Sequence, residues 1–538
     1  MLGRMQDWPL TVDKILDHAN TWHGAREIVT RSVEGPIVRS AYGQLHARAK
    51  QVTSALRDWG VEPGDRVATL AWNTARHMEV WYGAMGMGAV CHTLNPRLFP
   101  AQLVYIINHA GDRILFADLT FVPLLKAVLP RCPTVERVVL LSDADTVAGA
   151  GLDGALAYEA LLQQARGPSH WGGFDERTAC ALCYTSGTTG DPKGVLYSHR
   201  SNFLHTLMGL QSTVLGADPS AVILPIVPMF HANAWGIAFA APAAGAKLVM
   251  PGARMDGAAI HELIETEGVT FSGAVPTVWQ GLLTHLRDNN LGLSTLKRVV
   301  IGGSAVPESL IRAFHDEFGV EVVQGWGMTE TSPIGTLSNA RPEISALSFD
   351  EQIKWRAKQG TPPLGVELTV KDAAGAVQPA DGRSQGRLMV RGPGVAAGYF
   401  GQAGDVLDPD GYFDTGDIAT IDPQGFLQIT DRAKDVIKSG GEWISSVEIE
   451  SIAAGHPDAE LTAVVGVPHP RWDERPLLIV KLRPGAEPDA GSHLAFLAGK
   501  IARWWMPDAV RFVDDIPLGP TGKVDKKRLR EDLLEITA

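Results

Sequence analysis

The sequence is poor in cysteine, lacks long apolar runs and has no excess of positive charge. Only four cysteines occur in 538 residues, which argues against a disulfide framework. Lys and Arg total 48 against 60 for Asp and Glu, so the formal net charge of −12 opposes binding to nucleic acid. No segment reaches the roughly 18 uninterrupted apolar residues of a membrane-spanning helix. We therefore expect no nucleic-acid partner and no membrane span.

The N-terminal segment MLGRMQDWPLTVDKIL has an acid and a proline where a signal peptide needs an apolar core. We therefore expect a cytoplasmic protein. Cys180 and Cys183 form a CxxC pair, but zinc would need a second pair or suitably spaced histidines, and a redox pair would need to begin a helix. The flanking TACALCYTSG is typical of a buried strand, so we favour two small buried side chains over a metal or redox site.

What the sequence does have is a dense glycine- and hydroxyl-rich segment, YTSGTTGDPKGV, at residues 184–195. Glycines allow backbone N–H groups to approach an anion, and hydroxyl and lysine side chains complete a cradle for phosphate oxygens. The P-loop spacing fails, because Pro192 and Gly194 stand where that motif requires glycine and a hydroxyl. A nucleotide phosphate site is favoured, and an ordinary solvent loop is the alternative.

Hydrophobic periodicity divides the chain into regions. From about residue 40 to 340, short Val-, Ile- and Leu-rich runs alternate with helix-like stretches, which predicts largely parallel sheets covered by helices. The predicted strands then become more closely spaced, which predicts a β subdomain at about 345–430. After DRAKD at 431–435 the pattern changes to mixed helix and strand. We predict an α/β body over residues 1–433 and a small α+β domain over 434–538, with the boundary near Lys434.

Other segments supply the remaining parts of a nucleotide site. QGWGMTE at 324–330 follows a predicted strand and offers a hydroxyl and a carboxylate, and GYFDTGD at 411–417 ends in Asp417. DRAKDVIKSGGEWIS at 431–445 and GPTGKVDK at 519–526 add cations far along the chain. Each acid alone could be a turn or capping residue, and Lys523 alone could be a solvated lysine. Their joint occurrence favours function.

Together these motifs resemble the acyl-adenylate-forming superfamily, which includes acyl-CoA synthetases, peptide-synthetase adenylation domains and firefly luciferase. The resemblance spans essentially the whole chain, in order. It implies a large N-terminal body and a small mobile C-terminal lid. It also implies that a carboxylic acid attacks the α-phosphorus of ATP, and that the acyl-adenylate then reacts with coenzyme A. Mg²⁺ is implied as the metal.

The resemblance assigns the nucleotide residues as follows. The β- and γ-phosphates would be held by Thr185, Ser186, Gly187, Thr188, Thr189, Gly190 and Lys193. Thr329 would contact the α-phosphate and Glu330 would bind Mg²⁺. The adenine would be lined by Gly303, Ser304, Ala305, Gln324, Gly325 and Trp326, and Gly327 would belong to the same ATP- and AMP-binding set. Asp417 and Arg432 would bind ribose.

The resemblance also assigns the moving parts. Lys523 would reach both the acid and the α-phosphate during adenylation, and Lys434 would be the hinge, where many relatives carry Asp. The residues implied for the CoA passage are Lys438, Gly440, Gly441, Glu442 and Trp443, with Lys438 aiding thioester formation.

VPMFHANAWG contains His231 and Trp235, which share one face if the segment is helical. A packed histidine beside a core tryptophan is the alternative to function. By resemblance His231 steadies the acid, and the acyl chain is walled by Trp235, Gly302, Thr331 and Pro333. A tryptophan wall leaves little volume, which favours a short or medium acid.

The closer resemblance is to bacterial medium-chain fatty-acyl-CoA ligases, and among them to the 3-methylmercaptopropionyl-CoA ligases of dimethylsulfoniopropionate demethylation. It rests on MLGRMQDWPLTV, AVCHTLNPRLFPAQLVYIINHA, VPMFHANAWG and SGGEWISSVEIE. We therefore expect an AMP-forming acid–CoA ligase, most simply a homodimer, with 3-methylmercaptopropionate as the preferred acid. The alternatives are a general medium-chain ligase, an adenylating enzyme that loads a carrier protein, and a nucleotide sensor without turnover.

Overall fold

A computed structural model of the chain describes residues 1, 3–185, 191–439, 442–519 and 523–537. Within these ranges the strands form four sheets, with eight, seven, four and five strands. Strands and helices are numbered below in chain order, and the sheets are called the first, second, third and C-terminal sheets.

The first sheet is parallel in its interior and antiparallel at its two edges. Its strands are β1 (Glu27–Arg31), β2 (Ile37–Ala41), β10 (Val222–Pro225), β11 (Lys247–Met250), β12 (Phe271–Ala274), β13 (Arg298–Gly302), β14 (Glu321–Gly327) and β15 (Ile334–Leu337). Their order across the sheet is β15-β14-β13-β12-β10-β11-β1-β2. The carboxyl ends of β13 and β14 are therefore adjacent, and both carry predicted adenine residues.

The second sheet is parallel except for its last strand. Its strands are β3 (Arg66–Leu70), β4 (Val90–Thr93), β5 (Ile114–Ala117), β6 (Arg137–Leu140), β7 (Leu156–Ala157), β8 (Ala179–Thr185) and β9 (Lys193–Ser198), in the order β7-β6-β5-β3-β4-β8-β9. β9 pairs with β8 in antiparallel fashion, so the glycine-rich segment is the connection of an edge hairpin.

Helices cover both faces of these sheets. The helices of the body are α1 (Asp13–His23), α2 (Tyr42–Asp58), α3 (Ala75–Gly86), α4 (Pro100–Ala110), α5 (Val122–Val128), α6 (Ala144–Gly149), α7 (Tyr158–Gln164), α8 (His199–Gly209), α9 (Ile237–Ala244), α10 (Gly257–Glu267), α11 (Pro276–Asp288), α12 (Glu308–Phe318), α13 (Pro342–Ser345) and α14 (Phe349–Arg356). α3 and α9 are buried on nearly all sides, because they pack in the core cluster to which both sheets contribute.

The third sheet is antiparallel and consists of β16 (Glu367–Lys371), β17 (Gly386–Arg391), β18 (Phe413–Ile421) and β19 (Leu427–Arg432). The C-terminal sheet follows, with β20 (Ile437–Ser439), β21 (Glu442–Ile444), β22 (Ala459–His469), β23 (Asp473–Leu482) and β24 (Ala509–Phe512). It packs with α15 (Ser446–Ala453), α16 (Ala490–Leu497) and α17 (Lys526–Thr537) around its own apolar cluster. Lys434 lies between β19 and β20.

Several sequence-based expectations can be compared directly with this architecture. The parallel sheets with helices and the separate mixed C-terminal unit confirm the predicted fold class. Cys180 and Cys183 are both buried in β8, and burial raises the pKa of each thiol, as expected of two structural side chains. Within the described ranges, no helix is both long enough and apolar enough to cross a membrane.

Candidate active site

The β8–β9 hairpin presents a hydroxyl and a cation at the two ends of the glycine-rich segment. Thr185 pairs with Lys193 across the hairpin. Lys193 is exposed, and its Nζ lies 4.8 Å from the centroid of the Tyr399 ring. The predicted phosphate ligands between them, Ser186, Gly187, Thr188, Thr189 and Gly190, lie outside the described residues.

Glu330 lies in a short 3₁₀ turn, Thr329–Thr331, that follows β14. The residue is only 6 % exposed, and its Oε1 accepts a 2.9 Å hydrogen bond from the Tyr399 hydroxyl. Burial raises the pKa of Glu330, while the Tyr399 hydrogen bond and the charges of Arg432 and Lys193 oppose that rise. The backbone of the turn is also held, because the Tyr197 hydroxyl donates to the Thr329 carbonyl at 2.7 Å.

This arrangement fits Mg²⁺ that is shared with a nucleotide. Mg²⁺ prefers oxygen ligands and usually binds through one or two carboxylates together with substrate phosphates. Glu330 offers one buried carboxylate, oriented by Tyr399 and close to Lys193. In the described part of the chain, no cluster of three or more His, Cys, Asp or Glu side chains could hold a metal by itself. The described side chains therefore offer too few ligands for an all-protein cage, which fits an ion shared with substrate phosphates.

Asp417 is held between two predicted nucleotide residues. β18 and β19 pair Asp417 with Arg432, and Arg432 Nε lies 2.7 Å from Asp417 Oδ1. The Trp326 indole N–H donates to Asp417 Oδ2 at 2.9 Å. Asp417 is 2 % exposed, so both bonds orient a nearly buried carboxylate. The structure thus brings the third sheet into contact with β14 of the first.

The predicted adenine residues lie at two neighbouring strand ends. Gly302 and Gly325 are paired in β13 and β14, and the segment Gly303–Ala305 follows β13 directly. Gln324 is buried, and its Oε1 accepts the Val306 N–H at 3.2 Å. The Gln324 side chain therefore holds the loop after β13 in place.

The segment between His231 and Trp235 is not a right-handed helix, so the expectation that the two side chains share one helical face is wrong. Ala232, Asn233, Ala234 and Trp235 all have positive φ, from 40° to 58°. Asn233 and Ala234, at ψ of 44° and 38°, fall in the left-handed helical region. The chain therefore makes a left-handed turn here, followed by Gly236 at φ 76°.

This left-handed turn brings Trp235 against the predicted acyl wall. A Cβ atom placed on Gly302 would lie 3.3 Å from Cη2 of Trp235, and one placed on Gly273 would lie 3.8 Å from its Cε3. The indole thus lies beside two strand glycines that leave room for it. Trp235 and Gly302, both predicted to wall the acyl chain, are adjacent.

His231 begins the turn with a neutral imidazole. Burial, followed by the positive charges of Arg97 and Lys523, lowers the pKa of His231 to about 3. Its Nε2 is buried and has no hydrogen-bond partner among the described residues. A neutral, unpaired imidazole in this position can exchange one hydrogen bond with a bound acid but cannot supply a positive charge.

Thr331 and Pro333 form a tight turn after Glu330. The Thr331 hydroxyl accepts the Met328 N–H at 3.0 Å and donates to the Pro333 carbonyl. A Cβ on Gly327 would lie 1.7 Å from the Pro333 carbonyl oxygen, so only glycine fits at that position. The Thr331 hydroxyl is therefore occupied by the turn itself, and any contact with an acyl chain would involve other atoms.

Lys523 reaches the body of the protein from the C-terminal unit. It stands at the base of a turn in which Gly519 N–H donates to the Lys523 carbonyl at 2.6 Å. Although Lys523 keeps access to solvent, desolvation and then the Arg432 charge lower its pKa to about 8, while Asp417 and Glu330 act in the opposite direction. Its charge also lowers the pKa of His231. Lys523, Asp417, Glu330 and His231 therefore surround one region.

The predicted CoA residues lie at the β20–β21 hairpin of the C-terminal sheet, whereas Lys523 lies in a turn that precedes α17. Lys438 is an exposed residue of β20, and its backbone N–H donates to Glu474 Oε2 at 2.9 Å. Glu442 and Trp443 belong to β21, which pairs with β20. Gly440 and Gly441 lie outside the described residues. The proposed hinge residue, Lys434, is exposed. Neighbouring protein atoms still remove part of the water around its ammonium group, and this desolvation lowers its pKa.

Comparison with known protein families identifies the chain. The AMP-binding enzyme family matches residues 16–400, and the AMP-binding enzyme C-terminal domain matches residues 448–523. The chain belongs to the AMP-binding enzyme family. The predicted resemblance to the acyl-adenylate-forming superfamily is thereby confirmed.

Relatives that match this AMP-binding enzyme over nearly its full length include two ligases. It is 49 % identical over 532 residues to a 3-methylmercaptopropionyl-CoA ligase of Ruegeria lacuscaerulensis, covering 99 % of both chains. It is 48 % identical to a medium-chain fatty acid–CoA ligase of Ectopseudomonas oleovorans, covering 99 % of this chain and 97 % of the relative. A crystal structure of an anthranilate CoA ligase in complex with anthranoyl-AMP superposes with a TM-score of 0.86 at 25 % identity, covering 98 % and 99 % of the two chains.

Sequence reasoning missed two residues of this AMP-binding enzyme. Tyr399 contacts both Glu330 and Lys193, as described above. His205 of α8 accepts the Ile334 N–H at 3.3 Å through Nε2 and packs against Gly236, so it joins the two segments that flank the acyl wall. Neither residue stands in one of the motifs on which the resemblance rests. The available signal for Tyr399 was the segment GVAAGYF, in which two aromatic side chains follow a run of small residues.

Proposed function

We propose that this enzyme is an ATP-dependent acid–CoA ligase that forms AMP and pyrophosphate through an acyl-adenylate. The observation that carries the proposal is the position of Lys523, a C-terminal cation that lies within Coulombic reach of Asp417, Glu330 and His231 of the body. Adenylation needs a cation between two anions, the acid and the α-phosphate. A lysine on a separate domain can provide that cation in one half-reaction and withdraw in the other.

In the first half-reaction the acid carboxylate attacks the α-phosphorus of ATP, a new P–O bond forms and pyrophosphate leaves. Asp417 and Arg432 hold the ribose, and Trp326 orients Asp417. Lys193 and the hydroxyls of the glycine-rich segment hold the departing pyrophosphate. Glu330 would hold Mg²⁺, which would supply positive charge to offset that of the phosphates. Lys523 balances the charges of the acid and the α-phosphate, and the neutral His231 donates one hydrogen bond to the acid.

In the second half-reaction the CoA thiolate attacks the acyl carbon, a C–S bond forms and AMP leaves with the anhydride oxygen, while the thiol proton passes to solvent. The C-terminal domain turns about Lys434 between the two steps, so that Lys523 withdraws and the face bearing Lys438 enters. Gly440, Gly441, Glu442 and Trp443 then border the CoA passage. A homodimeric assembly and a cytoplasmic location belong to this proposal as predictions from the sequence.

For the acid we propose a short or medium chain, with 3-methylmercaptopropionate preferred. Two observations support this choice: Trp235 fills the space beside Gly302 and Gly273, and the full-length relatives include a ligase of that acid and a ligase of medium-chain fatty acids. A general medium-chain specificity is the alternative, favoured by the nearly equal identity to the second relative.

A direct test measures AMP and acyl-CoA formation from ATP, Mg²⁺ and CoA with a panel of acids. The panel contains 3-methylmercaptopropionate, propionate, butyrate, hexanoate, decanoate and benzoate. We expect AMP formation to depend on CoA and to be fastest with the thioether acid and with four- to six-carbon acids. ADP as the product would refute the reaction, whereas a preference for decanoate or benzoate would refute only the choice of acid.

A further inference from the structure

Tyr399 lies between the cation of the glycine hairpin and the candidate metal ligand. Its hydroxyl donates to Glu330 Oε1 at 2.9 Å, and its ring centroid lies 4.8 Å from Lys193 Nζ. These two contacts use different parts of the side chain, because the hydroxyl holds the acid and the π face attracts the ammonium group. A single residue thus spans the two sides of the phosphate site.

The backbone around Tyr399 is fixed to the same two elements. Ala396 N–H donates to the Glu330 carbonyl at 2.8 Å, and Phe400 N–H donates to the Gly194 carbonyl at 2.8 Å. Ser332, two residues after Glu330, donates its hydroxyl to the Gly394 carbonyl at 2.7 Å. The segment 394–400 therefore joins β9 to the turn after β14, and Tyr399 is held in place within that bridge, next to its anchor at Phe400.

The hydrogen-bond geometry leaves part of the carboxylate available. Within the described residues, the side-chain hydrogen bonds of Glu330 involve Oε1 only. A hydroxyl bound to one carboxylate oxygen fixes the rotation of the group, so the other oxygen keeps a defined direction toward a ligand. Metal sites commonly depend on such outer partners, which orient the ligand without touching the ion.

We propose that Tyr399 is a positioning residue that orients the Glu330 carboxylate for Mg²⁺ and holds Lys193 beside it, so that one Mg²⁺-bound triphosphate meets both groups in place. This inference deepens the proposed function, because it rests on ATP binding at this site, but it concerns metal-dependent nucleotide binding and not the identity of the acid. Tyr399 acts through Glu330 and Lys193 and is not itself assigned a bond to substrate.

The first test uses Tyr399→Phe, which removes the hydroxyl and keeps the ring over Lys193. ATP binding to the full-length protein is measured by calorimetry without acid, with and without MgCl₂. We expect the variant to bind Mg²⁺-ATP about 10-fold more weakly, since a hydrogen bond to a charged group is lost, while ATP without Mg²⁺ binds as in the unmodified protein. The matched control is Tyr412→Phe, whose ring lies near Lys371 and Arg391 and away from Glu330.

A double-mutant cycle with Glu330→Gln separates positioning from general destabilisation. If Tyr399 acts through Glu330, the double variant binds Mg²⁺-ATP no more weakly than Glu330→Gln alone. Equal weakening with and without Mg²⁺, additive effects of the two substitutions, or unchanged Mg²⁺-ATP binding by Tyr399→Phe would each overturn the proposal. Binding is measured without turnover, so this test does not depend on the acid panel. If no acid in the panel reacted, the proposed function would be refuted, whereas the calorimetry would still decide whether Tyr399 orients Glu330.

Discussion

The indole N–H of Trp326 donates to Asp417 Oδ2 at 2.9 Å and joins two sheets that are far apart in sequence. Trp326 belongs to β14 of the first sheet and Asp417 to β18 of the third. The carboxylate that is proposed to bind ribose is therefore oriented by a residue of the adenine segment. In the proposed site, this bond would couple base recognition to ribose recognition.

Replacing Trp326 by Phe should weaken nucleotide binding, because it removes the donor and leaves one oxygen of a buried carboxylate without that partner. We expect the KM for ATP to rise about 10-fold, the effect of losing a hydrogen bond to a charged group, with a smaller change in kcat. Steady-state kinetics with varied ATP measure this. Trp22→Phe, at an exposed position, is the control. An unchanged KM for ATP would show that the bond does not orient Asp417 for binding.

Removing the Lys523 ammonium should affect the two half-reactions differently. For Lys523→Ala we expect adenylation to fall about 10²- to 10³-fold, the usual effect of losing one group that stabilises transition-state charge. Thioester formation from supplied acyl-adenylate should change far less. Pyrophosphate release and acyl-CoA formation, measured separately, distinguish the two. Lys527→Ala changes a nearby exposed lysine and should affect neither. Equal losses in both half-reactions would contradict a role confined to adenylation.

The lowered pKa of Lys523 predicts a pH dependence. Desolvation by the neighbouring protein, followed by the Arg432 charge, lowers this pKa to about 8, so the ammonium form dominates below pH 8 and is lost as the pH rises through that value. We expect kcat/KM for adenylation to be nearly flat below pH 8 and to fall above it, since this ratio reports the free enzyme. Lys523→Arg should remove the decline, because arginine stays protonated. The same decline in the arginine variant would assign the titration to another group.

The contact between Trp235 and Gly302 predicts a change in acid preference. A methyl group on Gly302 would lie 3.3 Å from the indole and 3.0 Å from the Gly325 carbonyl oxygen, so Gly302→Ala narrows the site. We expect it to reduce kcat/KM for hexanoate more than for propionate, and Trp235→Ala to shift preference toward decanoate. The control is Gly281→Ala, where a Cβ meets nothing within 4 Å. An equal decrease in kcat/KM for all acids would show that the Trp235–Gly302 contact does not select acids by chain length.

The sequence predicted the elements whose patterns are periodic or whose residues come in motifs. Uninterrupted apolar runs such as Val299–Ile301 in β13 indicate buried parallel strands. Because β13 and β14 are neighbours in the sheet, Gly302 and Gly325 lie side by side at the carboxyl ends of these strands. Asp417, Glu330 and Lys523 were found because each stands in a recognisable motif. Their convergence follows from tertiary contacts between distant segments, which no local pattern contains.

Two features of the site could not be derived in this way. Ala and Trp disfavour positive φ, so the residues of HANAWG give no local sign of a left-handed turn, and their spacing suggested a right-handed helix instead. Tyr399 and His205 are single side chains whose importance lies in what they touch. Only the packed structure brings Tyr399 between Lys193 and Glu330, which lie 137 positions apart in the sequence and both contact its side chain.

The left-handed turn at Ala232–Trp235 affects both the thermal stability of the protein and the proposed selectivity among acids. Each non-glycine residue in this conformation costs about 1–2 kcal/mol, and the surrounding structure must offset that sum to keep the indole beside Gly302. We expect Ala234→Gly to relieve part of this strain and to raise the melting temperature. It would also make the Trp235 indole more mobile, which would reduce the selectivity among acids. In the proposed acyl site, this turn would therefore keep the Trp235 indole in one position at some cost in thermal stability.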